Sequence, residues 1–311
     1  MIPAKAHFVW FGPHLPYAYI VGIRSAAISG GFSEVYLHHA DDLERTPELE
    51  RMLELEGISL RALDETVLED APIGHSDQLV DLFRKLTQPA AKANMMRAAI
   101  LATEGGIYLD TDTLTLKNLT PLREAHDAFC GAEHIALPRS VKESKNPFVW
   151  ARAGILMGYR DVCRRRTNGW RHFRRFEHLF PAVANNAVLA STPKHPFMTD
   201  LLEATLALPP TEQLVRFALG TKLLQHRVEL DPSGCSLLPP ETFFPIGPEV
   251  SQHWFREHTA VELDEMLFDE TRVIHWYASV RTKAIIPKID PSFIRRHADS
   301  IAFCRAALPF I

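Results

Sequence analysis

Three short apolar runs alternate with two helical stretches in the first part of this 311-residue chain, and that alternation restricts the fold more than any other feature. Ala6 to Phe11 (AHFVWF), Glu34 to His38 (EVYLH) and Ile58 to Leu63 read as strands, because short β-rich apolar runs bounded by turn residues bury in sheets. Tyr17 to Ser29 reads as a helix stopped by Gly30-Gly31. Leu43 to Glu56 reads as a second helix, capped by Asp41 or Asp42 and ended by Gly57. Strand, helix, strand, helix, strand is the pattern of a parallel sheet covered by helices. Gln78 to Leu86 and Ala90 to Glu104 follow as helices parted by Pro89. Gly105-Gly106 stops the second, and Ile107 to Leu109 is a fourth strand with Asp110-Thr111-Asp112 at its carboxyl end. Open sheets of this kind gather ligands at that edge.

Beyond residue 115 the pattern loosens. Phe129 to Glu133 and Ala153 to Met157 are expected as strands, and Arg160 to Phe180 as a basic, aromatic helical stretch. Phe197 to Leu206 and Thr211 to His226 read as helices, Arg272 to Trp276 as a late strand, and Pro291 to Ala307 as a closing helix. No internal repeat, low-complexity tract or linker interrupts the chain, so a single domain over 1–311 is expected. At 46 % hydrophobic residues a sizeable core is easily filled, and a net charge of −4 argues against nucleic acid as a partner. Cys130, Cys163, Cys235 and Cys304 form no CxxC pair, which argues against a zinc site or a disulfide scaffold and for free, mostly buried thiols. There is no basic-then-apolar leader and no run near the roughly 18 apolar residues of a membrane span, so a soluble cytoplasmic protein is expected.

Asp110 and Asp112 are two residues apart, and in extended backbone such residues project to one side. Two carboxylates so placed make a hard oxygen site suited to Mg²⁺ or Mn²⁺. Alone, a DxD is commonly a solvated turn. Here it follows an apolar strand and a Gly-Gly helix stop, where an uncompensated carboxylate is costly.

The stretch AAKANMMRAAILATEGGIYLDTDTL, Ala90 to Leu114, resembles the DxD sugar-binding region of the family 32 glycosyltransferases. That group includes bacterial capsule-type and fungal transferases, with the clostridial glucosylating toxins as distant relatives. The resemblance implies a GT-A fold, a Rossmann-like and mostly parallel sheet flanked by helices. It implies a nucleotide-sugar-binding half over 1–115, and an acceptor-side half with a C-terminal helix over 116–311. The implied activity is metal-dependent, retaining sugar transfer from a nucleotide sugar to a glycan, lipid-linked or other hydroxyl acceptor, as in polysaccharide biosynthesis. UDP-sugars are favoured, with GDP-mannose the main competitor. Ile2-Pro3 and His7 to Gly12 are similar to the family's opening strand, which places the nucleobase against Phe8, Val9 and Trp10. Asn185-Asn186-Ala187, Lys194-His195-Pro196 and the segment His275 to Ser279 match more loosely.

Residue by residue, the resemblance assigns metal ligation to Asp112, and to Asp110 directly or through water. His275 would complete the ligand set from the late strand. Arg97 and Asn94 share one helix face, and the planar fork of Arg97 suits a donor sugar or phosphate; pairing with Glu104 is its bland alternative. Relatives usually carry Asp at the position of Asn94. Tyr108, Thr111, Asn186 and Ser279 fall on the donor side. Arg281 and Lys283 are placed to lie over the diphosphate and stabilise departing charge, whereas Val280 stands where relatives often have Trp. No lone acid suggests itself as a nucleophile, so front-face displacement is expected. The basic stretch 160–175 reads either as a solvated helix face or as a contact for an anionic lipid leaflet. Two rival classes stay open: a catalytically silent sugar-binding relative, and a phosphatase of the haloacid dehalogenase type, whose motif also sets two acids two residues apart after an apolar strand. Leu114 and the lack of a GDxxxD segment argue against the phosphatase.

Overall fold

A computed structural model of the chain describes residues 1–215, 218–257, 263–280 and 282–311. The expected alternation forms. Strands β1 (Lys5–Trp10), β2 (Glu34–His39), β3 (Ile58–Ala62) and β4 (Gly106–Leu109) pair in parallel in the order β3-β2-β1-β4. Helices α1 (Tyr17–Ser29) and α2 (Pro47–Leu53) make the first crossovers, and α3 (Ser76–Lys85) and α4 (Pro89–Glu104) lead into β4. After the acidic pair, β5 (Thr113–Thr115) leaves the sheet, and β6 (Ala128–His134) re-enters it. Then come α5 (Pro147–Arg165), α6 (Gly169–Phe176), β7 (Ala182–Ser191), α7 (Pro196–Ala207), α8 (Leu223–Leu230), β8 (Ser236–Leu238), β9 (Val273–His275), α9 (Pro291–His297) and α10 (Ala302–Ala307).

Among the described residues the main sheet has seven strands in the order β3-β2-β1-β4-β7-β6-β8. Strand β7 runs antiparallel to both neighbours, and β6 pairs with β8 in parallel. This is the mostly parallel, helix-flanked α/β sheet expected. Alternate residues of β1 serve the two faces: Phe8 packs with α1, and Val9 packs with α4. Strand β5 pairs with β9 instead, with Thr113 opposite His275.

Several segments depart from the sequence reading. Ala153 to Met157 is not a strand; it lies inside α5, which starts at Pro147 with the Asn146 side chain accepting from Phe148 N–H. Five apolar residues do not distinguish strand from helix by themselves. The helix expected from Leu43 is only Pro47–Leu53, capped by Thr46 rather than Asp41 or Asp42, because Pro47 fits the first helical turn and not a helix interior. The stretch 160–180 breaks near Asn168. The helix expected over 211–226 is interrupted at Gly220, whose backbone (φ −114, ψ −123) is not helical. The closing helix is two pieces, α9 and α10. Strand β7 was not anticipated. No described helix is long and apolar enough to cross a membrane, and all four cysteines are free and buried.

The Gly105-Gly106 stop has a steric cause. Both take positive φ, +68 and +106. A Cβ on Gly106 would stand 2.8 Å from Lys5 O, and one on Gly105 would stand 2.6 Å from Pro193 Cδ. The chain thus turns from α4 into the middle of the sheet through a gap that only glycine fits. His7 secures the turn. Its Nε2 lies 3.0 Å from Gly105 O and its Nδ1 lies 3.1 Å from His38 Nε2. Burial pushes His7 down to about 4 and His38 down to about 3, so both rings are neutral. A neutral His7 must then donate from Nε2 and accept at Nδ1.

Two outcomes are expected. Gly106→Ala should lower unfolding free energy by about 2–4 kcal/mol in denaturant titration, through steric overlap plus the cost of positive φ. The second concerns Glu177, whose Oε1 is buried without a hydrogen-bond partner. Burial pushes its carboxyl up to about 8, with Arg174 only partly offsetting it. The folded chain therefore holds this proton more tightly than the unfolded one, and stability falls as pH rises from about 4.5 through about 8. Glu177→Gln should flatten that fall, so that Tm at about pH 8 rises relative to the parent while Tm near pH 5 changes little.

Candidate metal and sugar-binding site

Strand β4 ends inside the sheet, and the chain turns at once toward β5, so Asp110 and Asp112 stand at the carboxyl edge. Thr113 closes the turn by donating both its N–H and its hydroxyl to Asp110 O, at 3.1 and 2.8 Å. Helix α1 supports it from behind. A Cβ on Gly22 would stand 2.5 Å from Thr113 O and 2.8 Å from Thr111 O, so helix and turn touch through backbone alone. Three residues on, Ser25 Oγ donates to Gly22 O and accepts from Thr115 N–H at 2.8 Å. Strand β9 holds the other side, where Trp276 N–H donates to Asp112 O at 3.0 Å.

The two carboxylates have different surroundings. Asp110 Oδ1 accepts from Arg97 Nη2 and from the Tyr108 hydroxyl, each at 2.9 Å. Asp112 Oδ2 accepts from Ala278 N–H at 2.7 Å, and its Oδ1 lies 3.2 Å from His275 Nε2. One donor atom each from Asp110, Asp112 and His275 lies within 4.8 Å of the other two. Burial pushes the Asp112 carboxyl up, but the His275 imidazole and the Ala278 N–H outweigh it, and the group sits below its ordinary value. Burial pulls His275 down, but Asp112 outweighs this and leaves it raised. Two hard carboxylate oxygens and one imidazole nitrogen gathered this closely suit a divalent cation.

Arg97 is almost wholly buried in α4. Its three nitrogens bond Ala93 O, Asn186 O and Asp110 Oδ1, and its guanidinium lies 4.2 Å from the Tyr108 ring centroid. The alternative pairing with Glu104 does not form; Glu104 is held by Arg61 and Lys5. Arg97 thus meets the site through Asp110. Asn94, one turn earlier on the same face, accepts from Asn186 Nδ2 at 2.9 Å, and a Cβ on Gly220 would come within 2.5 Å of its amide nitrogen. So β7, α4 and the break at Gly220 converge on the Asn94–Asn186 pair.

Phe8 and Val9 are core side chains, one on each face, which leaves only their backbone for a ligand. Trp10 is half-buried at the strand end, 4.9 Å from the Tyr19 ring, which in turn stacks at 5.5 Å on Trp276; the Trp10 indole N–H has no hydrogen-bond partner among the described residues. Thr111 lies in the turn itself. Ser279 and Lys283 are exposed beyond β9, Val280 is half-buried, and Arg281 lies outside the described residues. Of the basic stretch, Arg160 and Arg164 both bind Glu249, and Arg174 bonds the carbonyls of Glu265, Met266 and Pro245. Part of it therefore serves internal packing.

Glu133 and Tyr277 were missed from sequence. Tyr277 follows His275 by two residues at φ +55, its ring 4.0 Å from the His275 ring. Its hydroxyl donates to Glu133 Oε2 at 2.9 Å. Burial pushes the Glu133 carboxyl up. The one available signal for Glu133 was an acid directly after the apolar run Phe129 to Ala132. Arg97→Lys should lower unfolding free energy by about 2–4 kcal/mol, since an ammonium cannot fork between Asn186 O and Asp110 in a buried setting; equilibrium denaturation in the absence of metal measures it.

The family described as a glycosyltransferase sugar-binding region containing DXD motif matches residues 36–129. No curated protein matches the chain by sequence. Among solved structures, the chain is similar to the PaToxG glycosyltransferase, at 13 % identity over 74 % of this chain and 70 % of that one, with a TM-score of 0.45. It is similar also to mouse xyloside xylosyltransferase 1 in its apo form, at 14 % identity over 88 % and 98 %, TM-score 0.46. A third is galactosyltransferase LgtC in complex with donor and acceptor sugar analogues, at 14 % identity over 94 % and 99 %, TM-score 0.39. The matched segment, residues 36–129, contains Asp110-Thr111-Asp112, which has the DXD form that the family's description names.

Proposed function

We propose that the chain is a retaining, divalent-metal-dependent glycosyltransferase that moves a sugar from a nucleotide sugar, a UDP-sugar in preference to GDP-mannose, to a hydroxyl of a glycan or lipid-linked acceptor. The observation that carries this is the convergence of Asp110, Asp112 and His275 within 4.8 Å at the carboxyl edge of the sheet, inside the matched sugar-binding region. Mn²⁺ or Mg²⁺ held by Asp112, His275 and Asp110 would neutralise the charge that grows on the nucleoside diphosphate.

The protein's own contributions follow from position. Asp112 and His275 hold the ion, and Asp110, fixed by Arg97 and Tyr108, presents its second oxygen to the ion or to the ribose. The Trp10 ring, at the end of β1, offers a face for the base and an unpaired N–H for a carbonyl. Asn94 and Asn186 present amide groups to sugar hydroxyls. Ser279 and Lys283 lie beyond β9, where Lys283 adds positive charge toward the diphosphate; Arg281 is assigned the same part from sequence. A cavity of about 410 Å³, lined in part by Glu133, Arg139, Ser140, Thr221, Lys222 and Gln225, is assigned to the acceptor in this reading. Its walls include Val183 and Ala184, just ahead of Asn185-Asn186, and Thr221, next to Gly220. A mixed polar lining of this size suits a polyhydroxyl acceptor.

Retention by a covalent intermediate would need an ionised carboxylate facing the sugar. Glu133 is a buried acid tied to His275 through Tyr277, but its carboxylate is engaged by the Tyr277 hydroxyl and burial favours its neutral form. Front-face displacement, with the leaving phosphate directing the acceptor hydroxyl, needs no such group. Asp112→Ala should cut Mn²⁺-dependent hydrolysis of UDP-sugars by roughly two to three orders of magnitude. Screening the parent and the variant against UDP- and GDP-sugars, with and without Mn²⁺, measures this. Hydrolysis that persists unchanged in the variant overturns the reading.

A further inference from the structure

Helix α5 is 19 residues long, yet Ala153 and Cys163 are its only buried residues. Phe148, Ile155 and Val162 are 82 %, 74 % and 48 % exposed. They are seven residues apart, two helical turns each time, so they form one line about 21 Å long. Gly154 and Gly158 flank it, with nothing within 4 Å of where a Cβ would stand. Helix α6 and the turn after it widen the surface. Tyr159 packs at 5.1 Å on exposed Phe176, and Arg152 Nη2 donates to the carbonyl of exposed Leu179 at 2.8 Å. Single exposed apolar residues are ordinary, but a continuous surface of large ones marks a partner.

Charge selects that partner. From Arg139 to Arg175 the chain carries eleven Lys and Arg against Glu143 and Asp161. Arg160, Arg164 and Arg174 are spent on internal partners, but Lys142, Lys145, Arg152, Arg165, Arg166 and Arg175 are exposed. A second copy packed face to face would set this excess positive charge against itself. An anionic bilayer meets both properties at once: apolar side chains enter the acyl boundary while long cationic ones stay at the phosphates.

We propose that α5 lies flat on the surface of an anionic lipid bilayer, with Phe148, Ile155 and Val162 inserted and Arg152, Arg165 and Arg166 on headgroup phosphates. The contact itself does not depend on the transferase reading; only its consequence, that a lipid-linked acceptor is met in the plane of the membrane, rests on that reading.

Cosedimentation of the full chain with vesicles tests the contact without any sugar transfer, so its failure is separable from a failure of catalysis. The chain should be retained by phosphatidylglycerol-containing vesicles and not by pure phosphatidylcholine, with retention falling as salt is raised. Phe148→Ser with Ile155→Ser should lower partitioning about tenfold or more. Arg165→Glu with Arg166→Glu should do so as well. Both pairs are exposed, so thermal melting and donor hydrolysis should stay at parental values. The proposal is overturned if anionic vesicles do not retain the parent, if both double variants bind as the parent does, or if pure phosphatidylcholine is bound equally well. Should the parent sediment as a dimer that Phe148→Ser with Ile155→Ser splits, without vesicle binding, a second copy covers the face and the bilayer assignment is wrong.

Discussion

Two carboxylates two residues apart, at the end of a buried strand, repel each other and lose hydration; the surrounding chain is arranged to offset that cost. Arg97 and the Tyr108 hydroxyl carry Asp110. The Ala278 N–H and His275 carry Asp112. The supports come from three parts of the chain: Arg97 from helix α4, Tyr108 from β4, and His275 with Ala278 from β9 and the segment just after it. Most of the topology around the site can be read as the means of bringing these elements together. The Gly-Gly turn lets α4 pass directly into β4, so that Arg97 stands behind the residue it binds. The departure of β5 from the main sheet is what lets β9 reach the acidic pair.

What was legible in the sequence follows from local physics. The parallel half was readable because its strands and helices show distinct periods and because Gly30-Gly31, Gly57 and Gly105-Gly106 mark three of the helix ends. The acidic pair was readable for the same reason, and His275 because it sits at the end of a short apolar run. Strand β7 was not. AVANNAVLAS places two asparagines mid-strand, which breaks the apolar pattern; Asn186 bonds Asn94 of α4, while Asn185 bonds the Ala187 N–H and Glu133. Glu133 was missed similarly, as an acid in a buried strand whose role depends on a tyrosine 144 residues away. Ala153 to Met157 was misread because a five-residue apolar run fits either period. The residues that defeated the pattern are thus largely those the site recruits.

The same arrangement gives Asn94 a different meaning from the one its resemblance suggested. Its carbonyl oxygen is taken by Asn186 and its amide nitrogen is crowded by the Gly220 break. An acid at this position would accept from Asn186 equally well, but would add a negative charge to the helix face it shares with Arg97. The amide keeps the hydrogen bond without that charge.

Gly22 has a consequence of its own. Because α1 meets the Asp110–Thr113 turn through bare backbone, there is no compressible side chain between them to absorb movement. The Ser25 hydroxyl couples the same helix to Thr115 one turn later. Helix and turn are therefore in direct backbone contact at Gly22 and joined again at Ser25. The helix's amino end begins at Pro16, and residues 14 to 17 border a separate surface cleft. The turn that carries the acidic pair is thus backed by a helix whose amino end lies at that cleft, with no side chain between helix and turn at Gly22.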